Sequence, residues 1–438
     1  MTQPPERAPR GAVLALAAGI CLYFVALVHR TALGVAGVEA LERFGTQATG
    51  LAMLSVAQVA VYAAMQVPAG HLLDRLGPAR VMVAGGVLMA LGQAAMAVTD
   101  SLALALAARV LIGAGDAPVF ISVSRLVSAW FPPRRVPVLV QLTGFVGQTG
   151  QLASAVVVAW VLHGFGWAAA FGALAVVGLG VAGLVALHVR LPHAGEGAPA
   201  AAPDRLWVSL RAATATAGNR LGFWSHFLTP FSAYVLALLW GVPFFVTGQG
   251  QSPAGASGLL AVLTVSAMVS SPVTGVLTAR HPLRRSWIVL GSALATGLAW
   301  VLLLSQSTPR PWWQLALFCA VVGAGGPVSL VGLDFARSWS PAERLGVASG
   351  YVNIGGFASS VSGVLLVGIV LQLVAPAGTT EYTLTHYRVA FSCLALPWLV
   401  GLVGVLRNRR LTRADLAADG VVVPPVRQVL RRCRRHHA

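Results

Sequence analysis

Two oppositely charged residues lie inside long apolar stretches of the sequence. Asp116 is about halfway along the apolar segment 102–128, and Arg30 lies well inside the segment 11–36. A charge in the hydrocarbon layer costs roughly 2.5–3.5 kcal/mol on insertion scales, so such residues usually face a cavity or a partner. A buried carboxyl group can load and release a proton, and a guanidinium fork binds a carboxylate through two hydrogen bonds. Asp116 is therefore the candidate for proton coupling, and Arg30 is the candidate anchor for an anion.

Both charged residues also have a structural alternative. Arg30 lies near one end of its segment, where Glu39 or Glu42 could serve as its ion-pair partner. Asp116 could be a neutral acid hydrogen-bonded to the backbone, or a permanent partner of Arg109 two helical turns earlier. The sequence leaves these alternatives open.

Several uncharged polar residues interrupt the apolar segments and are candidates for hydrogen bonds to a substrate. Contacts that hold helices together are the alternative for each of them. Arg125, near the cytoplasmic end of its segment, could hold its charge at the membrane surface on an apolar stem, act as a gate, or contact the substrate. His29 and His226 are weaker candidates and are more typical of packing residues. The hydrogen-bonding candidates are Tyr62, Gln66, Gln141, Gln148, Gln151 and Asn353.

The composition indicates a membrane protein. Hydrophobic residues make up 57% of the 438 residues, charged residues only 10%, and the mean hydropathy is +0.77. A soluble domain carries about 25% charged residues, and about 20 apolar residues span the hydrocarbon layer as a helix. The sequence predicts an all-α membrane protein with twelve transmembrane helices, at approximately 11–36, 49–73, 79–98, 102–128, 136–162, 168–190, 222–248, 255–279, 286–305, 312–336, 343–372 and 387–406.

The basic residues predict the orientation of these helices. All 30 are arginine, and all but six lie within the terminal segments or the loops on one side of the predicted bundle. Short loops rich in Lys and Arg face the cytoplasm. Both termini are therefore predicted to be cytoplasmic, in a multi-pass protein of the plasma or bacterial inner membrane. The net charge of +17 is accounted for by this topology and by contact with membrane lipids, rather than by nucleic acid.

The chain is predicted to consist of two homologous halves. Residues 1–190 and 221–406 each hold six predicted helices, 191–220 form an Ala/Pro/Gly-rich cytoplasmic linker, and 407–438 form a basic cytoplasmic tail. The segment 113–119 aligns with 322–328, and the same offset of 209 residues superposes 130–135 on 339–344. Transporters commonly carry such repeats, with the substrate site near the bilayer midplane between the halves.

The loop Gly70-His-Leu-Leu-Asp-Arg-Leu-Gly-Pro-Ala-Arg80 resembles the signature loop of the major facilitator superfamily. The resemblance spans the whole chain, since a degenerate copy of the loop stands at 275–284 and 109–115 is similar to a second family motif. It implies two six-helix halves that expose a central site to each side in turn. It also implies that charges near this loop latch neighbouring helices in one state. The residues assigned to this conformational latch are Gly70, Asp74, Arg75, Arg80 and Arg109.

Three stretches are similar to the anion–cation symporter branch of that superfamily and to its organophosphate relatives. They are 23–36 with Arg30, 62–70, and 115–132 with Asp116. The branch usually has Asp-Arg where this chain has His29-Arg30, and glutamate where Asp116 stands. Phosphate-handling relatives carry an arginine in the seventh helix, where this chain offers only His226. The resemblance implies proton-coupled symport of a small organic anion, a carboxylate or sugar acid, by a protein that acts as a monomer.

An enzyme and an exporter are the other classes considered. Gly113-Ala-Gly-Asp116 matches the short motif of intramembrane aspartyl proteases, but that chemistry needs two carboxylates at one site, and no second acid lies in the middle of a predicted span. No cofactor motif or metal-ligand spacing is present, so no cofactor or metal is expected. Proton-coupled efflux of drugs or metabolites is the alternative function. Antiporters of the superfamily typically have Gly and Pro in the fifth helix, and 144–152 has the glycines without the proline.

Overall fold

The first half of the chain forms six long apolar helices. The structure, a computed structural model, describes residues 10–46, 48–190, 205–375 and 382–421. Helix α1 is Arg10–Val35 and is followed by the short helix Gly37–Arg43. The continuous stretch Ala48–Val98 contains α2 and α3, and α4 is Leu102–Trp130. Helix α5 begins with Val136–Ala153, continues through the π-helical turn Ser154–Val158, and meets α6 within the stretch Ala159–His188.

Two glycines divide the longest helical stretches. Gly77 has φ 78° and ψ 164°, which separates α2 from α3, and Gly166 has φ 84° and ψ 177°, which separates α5 from α6. A side chain strongly disfavours positive φ, so glycine permits these sharp reversals. Ten stretches of the described chain are long and apolar enough to cross a membrane. Two of these ten stretches are divided at Gly77 and Gly166, which gives the twelve predicted helices.

The second half begins with the short helix Leu206–Ala215, and six long helices follow. Helix α7 is Ala217–Gly248 and includes the π-helical turns Leu236–Trp240 and Phe244–Gly248. Then come α8, Pro253–Arg280; α9, Arg285–Leu304; α10, Trp312–Trp339; α11, Leu345–Val374; and α12, Leu384–Ala418.

The apolar core of the first half extends to residues of α10 and α11, and the second half has further apolar clusters of its own. Close glycine contacts recur in the corresponding helix pairs of the two halves. In the first half, Gly113 of α4 packs against the Gln58 carbonyl of α2; in the second, Gly323 of α10 packs against the Leu263 carbonyl of α8. Many large apolar side chains remain exposed on the outside of the bundle, for example Val176 and Leu302. In a protein whose helices cross a membrane, such a surface faces lipid.

The structure differs from the sequence prediction at both boundaries of the second half. The predicted linker 191–220 is helical over most of its second half. Its residues 206–215 are rich in the strong helix formers Leu, Ala and Arg, and α7 begins at Ala217. The linker residues 191–204 lie outside the described part of the chain. The predicted tail begins at 407, but α12 continues to Ala418. Hydropathy predicts where the membrane span ends, but the helix can continue beyond that point because Arg, Leu and Ala are strong helix formers. The rest of the tail, 422–438, also lies outside the described residues.

Candidate functional site

Arg30 and Asp116 form a two-point ion pair inside the first half. Nε of Arg30 donates to Oδ2 of Asp116 at 2.7 Å, and Nη2 donates to Oδ1 at 3.0 Å. The Asp116 side chain is 1% exposed and that of Arg30 is 23% exposed. Helix α1 supplies the guanidinium and α4 supplies the carboxylate. The structure thus connects the two residues that the sequence proposed for anion binding and proton coupling. In this pair Arg30 has the partner Asp116, where the alternative considered from the sequence was Glu39 or Glu42.

The floor beneath this pair joins the two halves. The guanidinium carbon of Arg30 lies 4.5 Å from the ring centre of Tyr62 on α2, and that ring packs against Phe357 of α11 with centroids 4.8 Å apart. Asn353 of α11 donates to the Gln66 side-chain oxygen at 2.8 Å. Four predicted site residues, Arg30, Tyr62, Gln66 and Asn353, therefore lie close together with Asp116.

Two tyrosines at the site were missed by the sequence reasoning. Tyr23 of α1 and Tyr234 of α7 lie within electrostatic range of Arg30. Tyr234 is 44% exposed although it is in the middle of α7, and its electrostatic interaction with Arg30 places it on the side of α7 that faces the first half. A tyrosine in an aromatic-rich apolar helix has no local pattern that marks it. The one sequence signal for Tyr23 is its position two helical turns before Arg30 on the same helix.

Arg109 lies beside this site and away from the predicted latch. Its Nη2 donates to the Arg30 carbonyl oxygen at 3.3 Å, and the residue is 2% exposed. Its Nε and Nη1 find no hydrogen-bond partner among the described residues. Asp116 is seven residues along the same helix and is bound directly by Arg30. The motif containing Arg109 therefore belongs to the interior polar cluster. Arg109 lies more than four turns along α4 from Arg125, the residue of that helix that contacts Asp74.

Asp74 binds the second half at one end of the bundle. This end, here called the arginine-rich face, carries the loops 75–80, 134–135, 280–285 and 337–344. Its Oδ1 accepts from the Gly346 backbone N–H at 2.7 Å, and Oδ2 accepts from that of Val347 at 2.9 Å. Arg125 of α4 donates to Oδ1 at 3.1 Å and also to the Ala342 carbonyl oxygen. Asp74 therefore caps the N-terminus of α11, where unpaired N–H groups and the helix dipole favour a negative charge.

Close backbone contact between α2 and α11 continues this connection. A Cβ atom on Gly70 would overlap the Gly346 carbonyl oxygen, and one on Gly346 would overlap that of Gly70. One turn further, a Cβ on Gly350 would overlap the Gln66 carbonyl oxygen. A seam of contacts between α2 and α11 thus runs from the arginine-rich face to the floor of the Arg30 site.

The other predicted latch residues and hydrogen-bonding candidates have different environments. Arg75 and Arg80 are exposed at the arginine-rich face. Gln141 of α5 donates to the Pro327 carbonyl oxygen at 2.8 Å and accepts from the Ser271 hydroxyl at 2.7 Å, so its side chain joins the halves. Gln148 is half-buried and Gln151 is exposed. Among the described residues, no hydrogen bond joins either of these two glutamines to the Arg30–Asp116 pair.

The two histidines of the interior bind backbone carbonyls. The His29 ring Nε2 lies 3.1 Å from the Leu174 oxygen, and the His226 ring Nδ1 lies 2.9 Å from the Ser329 oxygen. These contacts support the packing interpretation. Across the described ranges, no group of three or more His, Cys, Asp or Glu side chains could hold a metal ion.

Comparisons with known proteins identify relatives of the chain. A family model described as Major Facilitator Superfamily matches residues 19–361. The probable galactarate/D-glucarate transporter GudP of Escherichia coli K12 is 21% identical over 419 residues, 87% of this chain and 91% of that protein. Monocarboxylate transporter 11 of Mus musculus is 31% identical over 364 residues, 79% of this chain and 74% of that one. The crystal structure of the transporter FucP in the outward conformation has a TM-score of 0.63 and 15% identity, and it covers 90% of this chain and 99% of that chain. The last likeness concerns the fold alone.

Proposed function

The chain belongs to the major facilitator superfamily of membrane transporters, and from that premise we propose that it is a proton-coupled symporter of a small organic anion. The substrate class is a carboxylate or sugar acid, and transport proceeds by alternating access of one central site. The observation that carries the proposal is the two-point pair between Arg30 and Asp116. The names of two relatives, which specify galactarate/D-glucarate and monocarboxylates, agree with this class.

The pair supplies a reason for coupling. Both carboxylate oxygens of Asp116 occupy the Nε–Nη2 edge of the Arg30 fork. A substrate carboxylate needs the same edge for planar, bidentate recognition. Releasing Asp116 as an anion would leave a buried charge unpaired, which is strongly unfavourable. A proton on Asp116 removes that charge, so Arg30 becomes available to the substrate when Asp116 is protonated. Anion and proton then bind together.

The seam between α2 and α11 provides the alternating step. It closes the floor of the site through Tyr62, Gln66 and Asn353 and ends at Asp74 on the arginine-rich face. Separation of the halves along this seam would open the site to that face. The arginine content of its loops makes this the cytoplasmic face, so the protein described here is closed towards the cytoplasm. We place both termini in the cytoplasm and the protein, as a monomer of two six-helix halves, in the inner or plasma membrane.

Replacement of Asp116 by Asn tests the coupling. Asn mimics the neutral acid and removes the titration, so proton-driven accumulation in liposomes should be lost. Counterflow, the exchange of labelled for unlabelled substrate without net proton movement, should persist. The assay needs a substrate found first by testing sugar acids, aromatic acids and small carboxylates for uptake with and without a proton gradient.

A surface acid provides the control for this substitution. Asp100 is 76% exposed and pairs with Arg43, so Asp100→Asn removes a carboxylate without affecting the site, and both activities should remain. Retained proton-driven accumulation in Asp116→Asn would show that another group carries the proton. Loss of both activities in a folded Asp116→Asn protein would leave only a structural role for the carboxylate.

A further inference from the structure

A crevice between the two halves opens at the arginine-rich face. One wall comes from the end of α4 and the start of α5, with Arg125, Ala129 and Val136; the other comes from α9, α10 and α11, with Arg285 and Arg337. We propose that this crevice is a binding site for a phosphate-type oxyanion, either free phosphate or the phosphate of an anionic lipid. Its occupation holds the arginine-rich face closed.

Three guanidinium groups line the crevice, and no carboxylate lines it among the described residues. Arg285 is 8% exposed, and its Nη1 donates to the Asp334 carbonyl oxygen at 3.0 Å and to the Ser338 hydroxyl at 2.8 Å. Its Nε has no hydrogen-bond partner in the described part of the chain. No carboxylate there forms an ion pair with it, since Asp334 pairs with Arg337 and acts on Arg285 only at longer range. A buried guanidinium whose charge is not matched by a paired carboxylate is costly, and an oxyanion would match it.

The carboxylates near the crevice are already used by the protein. Asp334 pairs with Arg337 at 2.5 Å, and Asp74 accepts from Arg125 and from two backbone N–H groups of α11. Glu343 is exposed and lies within electrostatic range of Asp74, outside the crevice lining. Each guanidinium has five N–H donors, so Arg125 and Arg337 retain donors for a second, external anion.

The position of the crevice determines what its ligand would do. Arg125 belongs to the first half, and Arg285 and Arg337 belong to the second. When the arginine-rich face opens, the two walls separate and an anion can no longer contact both. A ligand that binds one conformation more tightly shifts the population towards it. Phosphate on this side therefore slows transport by stabilising the closed face, independently of which substrate or ion the central site carries.

Binding of inorganic phosphate to the purified full chain tests the site without any transport substrate. The unfolding temperature should rise with phosphate and reach a plateau when chloride salts keep the ionic strength constant. The half-saturating concentration should rise about tenfold or more in Arg285→Gln and in Arg337→Gln, since each removes charge-assisted hydrogen bonds. Arg280→Gln removes an exposed arginine of the same face, is not part of the lining, and should bind phosphate as the unsubstituted protein does.

A third variant adds a charge and keeps every arginine. Ala129 is exposed and lines the crevice, so Ala129→Glu supplies an internal carboxylate and should abolish the phosphate effect even if the arginine variants fold poorly. Vesicles with and without phosphatidylglycerol distinguish the two sources of phosphate. If this lipid competes with soluble phosphate for the crevice, the lipid headgroup is a ligand. If soluble phosphate binds equally well in both kinds of vesicle, the free ion is the ligand. Absence of a phosphate effect, or its equal loss in Arg280→Gln, would overturn the proposal. Neither result depends on whether the central site couples anions to protons.

Discussion

Asp74→Asn should weaken closure of the arginine-rich face. The carboxylate accepts two backbone N–H groups of α11 and the Arg125 guanidinium. The asparagine side chain keeps one oxygen, but its NH2 group must face the backbone N–H of either Gly346 or Val347. An NH2 group cannot accept that hydrogen bond. Arg125 also loses its charged partner.

The size of the effect follows from these contacts. The Asp74 side chain is 4% exposed and that of Arg125 is 17% exposed, so solvent screens their interaction little. A hydrogen bond to a charged group contributes about 1.5–3 kcal/mol, and loss of one such bond with weakening of a second gives about 2–4 kcal/mol. At about 1.4 kcal/mol per factor of ten, the equilibrium between closed and open faces should shift about 30- to 700-fold towards the open one.

Spin labels on the two halves would measure this shift. In a background without the four native cysteines, labels at Arg134→Cys and Arg280→Cys place one exposed probe on each half at the same face. In Asp74→Asn, the fraction of molecules with a long distance between the two labels should increase. Transport should slow because the closed state is no longer favoured. Substrate affinity should stay within severalfold, since Asp74 does not line the Arg30 site.

The neighbouring acid supplies the control. Glu343→Gln removes an exposed negative charge near Asp74 but none of the three hydrogen bonds, so the distance distribution should be unchanged. An unaltered distribution in Asp74→Asn, or the same change in Glu343→Gln, would refute the reasoning. Loss of substrate binding in folded Asp74→Asn protein would equally contradict a role confined to closure.

Three further outcomes are expected. Arg30→Lys keeps the charge but loses the planar fork, so substrate affinity measured by equilibrium binding should fall in both Arg30→Lys and Arg30→Gln; unchanged affinity in both would leave a structural role. Gly346→Val places a side chain against the Gly70 carbonyl and should abolish the closed distances between spin labels, whereas Gly291→Val, whose Cβ meets open space, should retain them. Reporter domains fused after Arg410 or within 193–203 should be cytoplasmic and those near Gly45 external; an external C-terminus would contradict the proposed orientation.

The helices were accessible from the sequence because lipid acts on each segment separately. A span must be apolar over about 20 residues whatever its neighbours are, so the twelve stretches and the isolated charges Arg30 and Asp116 stand out locally. The bounds were less accessible. Hydropathy ended the last span at 406, but the helix reaches Ala418, because arginine and alanine sustain a helix in water as well as in lipid.

The contacts between distant residues were not accessible in this way. Asp116 could be matched with Arg109 on its own helix, yet it binds Arg30, 86 residues away. Asp74 was assigned to a latch, but its partners at 346 and 347 are more than 270 residues along the chain. Tyr234 had no distinguishing pattern at all. Each partnership depends on how a helix is rotated about its axis and docked against the other half, and neither is encoded in a local run of residues.

The sequence by itself determined the fold class, the number of membrane crossings and the presence of one acid and one arginine deep within them, because the cost of burying polar groups in lipid is paid segment by segment. Only the tertiary structure decided that this acid and arginine face each other, that Gln141 joins the halves, and that the seam closes at the arginine-rich face. Those outcomes rest on packing between helices, where small residues such as Gly70 and Gly346 let two backbones approach and so select which side chains meet.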